Sequence, residues 1–158
     1  MQHPEYPPLA IDTDFNDIKQ LKQACRAFAL KTGFEFDTKR SNKQIYTITC
    51  HVPDCPWRLY ASSVDETRIF RIRTYRSEHS CYGIFHPGNK QATQSFIGNY
   101  ISEKVKEQPE YRPKDIVQDM KRELGVEINY MKALRAKENA LELLNGTHEE
   151  GYKMLAQY

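Results

Sequence analysis

An α+β fold is predicted for this chain: one N-terminal helix, then a small antiparallel sheet, then a separate set of helices. Three observations predict it. Between about residues 34 and 76 the chain runs in short stretches rich in aromatic and β-branched residues. On either side of that region apolar residues recur at helical spacing, and glycines, prolines and polar turn residues stand at the joints. With 158 residues, 39% of them hydrophobic and 11% aromatic, the chain is long and apolar enough for a packed core. It shows no internal repeat and no low-complexity tract.

Taken in order, residues 1–12, with Pro4, Pro7 and Pro8, read as a flexible leader. Asp14 is placed to cap a helix in which Phe15, Ile18, Leu21, Cys25, Phe28 and Ala29 recur, ending at Gly33. Strands follow near 34–40, 44–50, 56–64 and 67–76. The last two, "WRLYASSV" and "TRIFRIRTY", are parted by Asp65 and Glu66 and form a hairpin. "GIFHPGNKQ" is a linker. In "TQSFIGNYISEKVKEQ" the residues Phe96, Ile97, Tyr100, Ile101 and Val105 make the buried stripe of a helix. Pro113 suits the first turn of the next helix, Ile116, Val117, Met120 and Leu124 are its stripe, and Gly125 is its stop. Asn129 opens a further helix through Leu144, closed by Gly146, and Thr147 with Glu150 is a capping-box signature for a last short one. The division is therefore a leader (1–12), a sheet module (13–85) and a helical domain (86–158).

The chemistry begins at "CHVPDCPWRLY", residues 50–60, where Cys50 and Cys55 stand five positions apart in a chain with four cysteines. They can be a metal clip, half of a disulfide pair, or two buried thiols. The N-terminus lacks a secretory signal and no apolar run reaches the length of a bilayer span, so the chain reads as intracellular and soluble, where closely spaced cysteines serve metals or redox chemistry more often than structural disulfides. Further donors lie in "YRSEHSCY", which carries His79 and Cys81. A hairpin begins and ends at one edge of a sheet, so the CxxxxC before it and the HxC after it return to one place, with the backbone bending at Ser80. Four Cys and His donors are what a structural zinc ion takes, and Cys50, Cys55, His79 and Cys81 are the candidate ligands of one such ion. Trp57, alternating with Leu59 and Ala61, reads as core packing behind them. Cys25 reads as a packed thiol.

Net charge is only +2, a weak signal for nucleic acid, yet its distribution is uneven. From Thr67 to Ser77 there are four arginines, Arg68, Arg71, Arg73 and Arg76, and no acid, while "DTKRSNK" adds Lys39, Arg40 and Lys43 at the first turn. Such strands can lie against DNA phosphates, and a β-ribbon fits the major groove. The same pattern also describes the solvated face of an ordinary sheet, and composition does not choose between the two.

The order of ligands and strands resembles the zinc-binding fold shared by WRKY and GCM transcription factors, FLYWCH domains and the N-terminal DNA-binding region of Mutator-like element transposases, the last most closely. The likeness rests on "CHVPDCPWRLYAS" and "RTYRSEHSC", and on the tail segments "NKQATQSFIGNYI", "YRPKDIVQDMKRELGVEINYMKALRAKENAL" and "LNGTHEEGYKMLAQY", so that it spans Phe15 to Tyr158. The WRKYGQK heptapeptide of plant WRKY factors is absent, and their DNA preference does not carry over. The resemblance implies one structural zinc ion, double-stranded DNA as partner, a nuclear location and a part in transposition or transcription regulation. The reading strand of that fold aligns with "FEFDTKRSNK", which makes Lys39, Arg40 and Lys43 the first candidates for DNA contact, with Arg58, Arg71 and Arg73 behind them. The tail has the rhythm of a helix-turn-helix, and Lys132 and Arg135 on its second helix are a further candidate surface.

No catalysis is expected within these residues. Complete transposases of the family carry a separate RNase H-type domain with three metal-binding carboxylates, which would lie beyond the point where this chain stops. The sequence has no phosphate-cradling glycine loop and no nucleophile motif, a closed four-ligand site leaves no position for an activated water, and no small-molecule substrate or membrane is implied. Two competing classes remain: a zinc-scaffolded protein-protein interaction module that docks a partner through its helices, and a redox-sensing thiol protein.

Overall fold

In the computed structural model of the chain, which describes residues 5–81 and 88–156, the first helix, α1, spans Ile18–Thr32. Its cap is Asp17 and not Asp14. The Asp17 side chain accepts the Gln20 N–H at 2.8 Å, the Gln20 side chain accepts the Asn16 N–H at 2.7 Å, and Gly33 closes the helix at φ 83°, a conformation glycine adopts without strain. Asp14 is drawn elsewhere: with Phe15 it forms a two-residue strand, β1, paired with Phe70–Arg76, and its carboxylate takes Arg71 in a two-point grip at 2.6 and 3.0 Å. The described part of the leader is not loose either. Tyr6 and Leu9 pack on the core, and Asp12 N–H donates to the Ile72 carbonyl at 2.8 Å.

Four longer strands follow, β2 (Phe36–Ser41), β3 (Ile45–Cys50), β4 (Arg58–Ser63) and β5 (Phe70–Arg76), and the antiparallel sheet has the order β1-β5-β4-β3-β2. Asn42 builds the β2–β3 turn by accepting the N–H groups of Gln44 and Ile45, at 2.8 and 2.9 Å. One face of the sheet, carrying Phe36, Tyr46, Ile48, Leu59, Ala61, Phe70 and Ile72, forms the core with Trp57 and with Leu21, Ala24, Cys25 and Ala29 of α1. Burial pushes the Cys25 thiol far up, which fits its reading as a packed thiol.

"GIFHPGNKQ" was expected to be a linker; residues 83–87 of it lie outside the described residues, and its end is firmly built in. The Asn89 side chain donates to the Phe34 carbonyl at 2.7 Å, while Gln91 both accepts from Phe36 N–H at 2.9 Å and donates to its carbonyl at 3.1 Å. A glutamine side chain thus stands in for a neighbouring strand along part of the edge of β2.

The described residues form two compact units, Glu5–Gln91 and the part from Ala92 onward. The second holds α2 (Gln94–Glu107, capped by Thr93), α3 (Pro113–Leu124, ended by Gly125 at φ 64°) and α4 (Tyr130–Ala156). Its buried residues include Phe96, Ile97, Tyr100, Ile101, Val105, Ile116, Met120 and Leu124, with Ala133, Ala136 and Ala140 from α4. Gly98 lets α2 and α4 touch, since a Cβ there would stand 3.1 Å from the Ala136 carbonyl oxygen. In one respect the helical prediction fails: α4 runs through Gly146, and no new helix starts at Thr147. A glycine inside a helix costs only about 1 kcal/mol relative to alanine, and it stops the helix when it turns left-handed, as only Gly33 and Gly125 do among the described glycines. No helix among the described residues is long and apolar enough to cross a membrane.

Candidate metal centre and nucleic-acid interface

Strand β3 ends at Cys50, and the loop that turns back into β4 carries Cys55. That loop is tied by Cys50 N–H to the Trp57 carbonyl (3.1 Å) and Cys55 N–H to the Val52 carbonyl (3.3 Å), with Asp54 at φ 65° making the reversal. Because β4 and β5 pair with Arg58 opposite Arg76, the residues just past β5 arrive beside the start of β4. His79 and Cys81 therefore meet Cys50 and Cys55, and one ligand atom from each of the four lies within 4.8 Å of all the others.

The separations suit a single tetrahedral ion. Zinc–sulfur and zinc–nitrogen bonds of tetrahedral sites imply edges of about 3.8 Å between sulfurs and about 3.6 Å between sulfur and nitrogen. Here Cys50–Cys81 and Cys55–Cys81 Sγ atoms are 3.6 and 3.5 Å apart, and His79 Nδ1 lies 3.3 Å from Cys55 Sγ and 3.6 Å from Cys81 Sγ. These distances are far too long for a disulfide bond, and all four cysteines are free. The His79 ring sits in an aromatic slot, stacked on Trp57 (5.6 Å, 9°) and tilted on Phe34 (4.4 Å), and its Nε2 is buried with no hydrogen-bond partner among the described residues. The ring is half-buried, and its Nδ1, turned to the cysteine sulfurs, is the nitrogen left to bind an ion. Burial pushes the Cys50 thiol up to about 12; at Cys55 burial acts in the same direction, but backbone hydrogen bonds from Trp57, Cys81 and Ser80 outweigh it and bring that thiol down to about 5. The donor set can hold one metal ion.

Beside this cluster lies the face of the sheet opposite the α1 core. Cross-strand register orders it in rows: Asp37–Thr49–Arg58–Arg76, then Arg40–Thr47–Tyr60–Thr74. Guanidinium and hydroxyl groups dominate, and both carboxylates of the face are neutralised, Asp14 by Arg71 and Asp37 by Lys90 and His51. Those contacts hold both carboxyls below the usual range; the hydrogen bond from Arg71 leads at Asp14 and that from Lys90 at Asp37.

Of the basic residues singled out by sequence, Lys39, Arg40 and Lys43 are exposed on and just after β2, and Arg58 is exposed on β4. Arg71 is spoken for by Asp14, and Arg73 donates to Ser62 Oγ at 2.9 Å. Lys132 and Arg135 stand on α4 in the other unit, half-buried and exposed. Arg76, Tyr60 and Thr74 complete the face but were not among the candidate contacts. Alternation with Leu59 and Ala61 does place Tyr60 on this face, whereas a bulge in β5 between Thr74 and Ile72 breaks the alternation that would place Thr74 and Arg76.

Among known families, residues 10–72 match the one described as MuDR family transposase. No curated protein matches the chain. Among solved structures, the crystal structure of AFT2 in complex with DNA aligns over 80% of this chain and 99% of its own, at 17% identity and a TM-score of 0.40. The matched stretch holds the first cysteine pair, Cys50 and Cys55, and ends before His79 and Cys81.

Proposed function

We propose that the Glu5–Gln91 unit is a double-stranded DNA-binding domain, derived from or belonging to a transposase, whose sheet is pinned by one structural zinc ion at Cys50, Cys55, His79 and Cys81. The observation that carries the DNA reading is the open sheet face, where cations and hydroxyls stand with no unneutralised carboxylate among them. Three cysteine sulfurs and one imidazole nitrogen gathered within 4.8 Å of one another favour zinc over harder cations. Lys39, Arg40 and Lys43 continue the basic surface around the β2–β3 turn, the part of a hairpin best shaped to enter a groove. Under this reading the protein works in the nucleus, on a transposon end or a regulatory site, and neither cuts nor joins DNA through the residues present here.

A mobility-shift titration on random duplex DNA over a series of salt concentrations tests it. Binding should weaken steeply with salt, with a slope of about −0.9 for each phosphate contacted. Lys39→Ala, Arg40→Ala and Lys43→Ala together should lower affinity and flatten that slope while leaving the melting temperature unchanged. Salt-independent binding, or none, would refute the reading. Supercoiled plasmid incubated with the protein and magnesium should be shifted on a gel and stay intact; nicking that travels with the purified protein would refute the non-catalytic part.

A second reading is a protein-docking role for the helical unit, favoured by exposed Tyr130, Met131 and Leu141 on α4. It predicts that Tyr130→Ala and Met131→Ala leave DNA affinity untouched.

A further inference from the structure

We propose that Arg58 and Arg76 form a two-guanidinium clamp for a phosphodiester of the DNA backbone, at the metal-proximal end of the open sheet face. The inference deepens the DNA-binding reading and rests on it.

The two residues are direct partners across β4 and β5. Like charges set opposite each other on an antiparallel pair repel, and a protein gains by placing a carboxylate nearby. None is there. The row continues through Thr49 to Asp37, whose charge is already taken by Lys90 and His51. Several other cations do have such a partner: Arg71 with Asp14, Arg112 with Asp115, Lys104 and Arg122 with Asp119, Lys121 with Glu127. Arg58 and Arg76 are exposed and have neither an ion-pair nor a hydrogen-bond partner among the described residues.

Between them opens a depression of about 560 Å³, lined also by Thr49, Tyr60 and Thr74, whose hydroxyls can donate, and by Cys55. Two arginines and three hydroxyl residues lining one concavity are the donor set a phosphate site needs, since each guanidinium can meet two phosphate oxygens at once. A carboxylate presents two oxygens and one charge. A backbone phosphodiester presents two free oxygens on a charged group that repeats along the strand, so neighbouring phosphates can engage Arg40 and Lys43 in the same docking.

The metal centre fixes the arms of the clamp. Arg58 enters β4 three residues after Cys55, and Arg76 leaves β5 three residues before His79. An ion joining Cys55 to His79 thus ties together the two backbone ends from which the guanidiniums extend.

The test is fluorescence anisotropy of a labelled random-sequence duplex across a salt series, with wild type, Arg58→Gln, Arg76→Gln, the double variant and the double Arg→Lys variant. Each single glutamine should weaken binding about tenfold, and the double should flatten the salt slope by about one, the single phosphate that the two guanidiniums share. The double lysine variant should keep the wild-type slope yet bind more weakly, because an ammonium cannot fork. Metal content and melting temperature equal to wild type show that the variants fold. If wild type binds while the double glutamine variant matches it in affinity and slope, the clamp is wrong and the DNA reading stands; if wild type does not bind duplex, both are wrong. Displacement of the duplex by polyglutamate at equal charge concentration overturns the assignment to phosphate in favour of an acidic protein.

Discussion

His79 shows most plainly what the sequence could and could not say at the residue scale. Its pairing with Cys81 two positions on, and the spacing back to Cys50 and Cys55, were enough to nominate all four donors. The slot between Phe34 and Trp57 that holds the imidazole was not legible, because Phe34 lies 45 residues away in the chain. From that slot follows a prediction. His79→Ala removes one donor and its ring contacts with Trp57 and Phe34, so metal content should fall from one equivalent to well below it and stability should drop by several kcal/mol, chiefly through the weakened metal site. Cys25→Ala, by contrast, should leave metal content at one equivalent. Metal analysis after zinc-replete purification reads both; a His79→Ala protein that keeps a full equivalent would remove His79 from the donor set. Arg76 illustrates the opposite case. Strict alternation along "FRIRTYR" from buried Phe70 and Ile72 sends Arg76 to the core side, and only the bulge in β5, which leaves no mark in composition, returns it to the open face opposite Arg58.

Among the elements, α3 shows how packing reassigns a charge pattern. On the helix alone Asp115 and Asp119 stand one turn apart and suggest a matched pair with Lys121, Arg122 or the helix dipole. In the fold they part company: Asp115 pairs with Arg112 at the helix start, while Asp119 is buried and collects Lys104 Nζ at 2.6 Å, Arg122 at 2.8 Å and the Tyr111 hydroxyl. Burial works to raise the Asp119 carboxyl, but the hydrogen bonds from Lys104 and Tyr111 prevail and hold it below the usual range. A carboxyl depressed in the folded state adds stability above its unfolded value near pH 4 and loses it as pH falls through the lower folded value. The helical unit should therefore weaken on acidification below about pH 4, and Asp119→Asn should cost about 2 kcal/mol near neutral pH by removing the buried charge that Lys104, Arg122 and the Tyr111 hydroxyl share, and should blunt that acid transition. Helix melting followed by circular dichroism across pH measures both, and an unchanged profile in Asp119→Asn would show that the cluster does not hold the unit together. The stripes and the glycine stops at Gly33 and Gly125 were legible because they are local; the run of α4 past Gly146 was not, since nothing in a glycine itself says which φ it will take.

For the molecule as a whole, the consequence lies in how differently the two units are held. In the Glu5–Gln91 unit Cys50 belongs to the core, and Cys55 and Cys81 pack against it, so removing an ion would leave three thiols and an imidazole converging on nothing. The unit from Ala92 onward is held by ordinary apolar burial around Phe96, Ile97, Ile116 and Met120 and by the Asp119 cluster, none of which involves a metal donor. Chelation should therefore disorder the sheet unit selectively, because a structural zinc ion contributes folding free energy outright. The chain contains one tryptophan, and Trp57 stacks on His79, so its fluorescence reports the metal-bearing unit alone. On titration with a strong chelator the Trp57 emission should shift to the red while far-ultraviolet circular dichroism keeps most of its helical signal, and readdition of zinc should restore the emission. Duplex binding should disappear in step with the Trp57 change, because Arg58 and Arg76 extend from the backbone that the ion ties together. An emission that stays native once metal analysis shows the ion gone would mean that the sheet stands without it; simultaneous loss of the helical signal would mean that the two units fold as one.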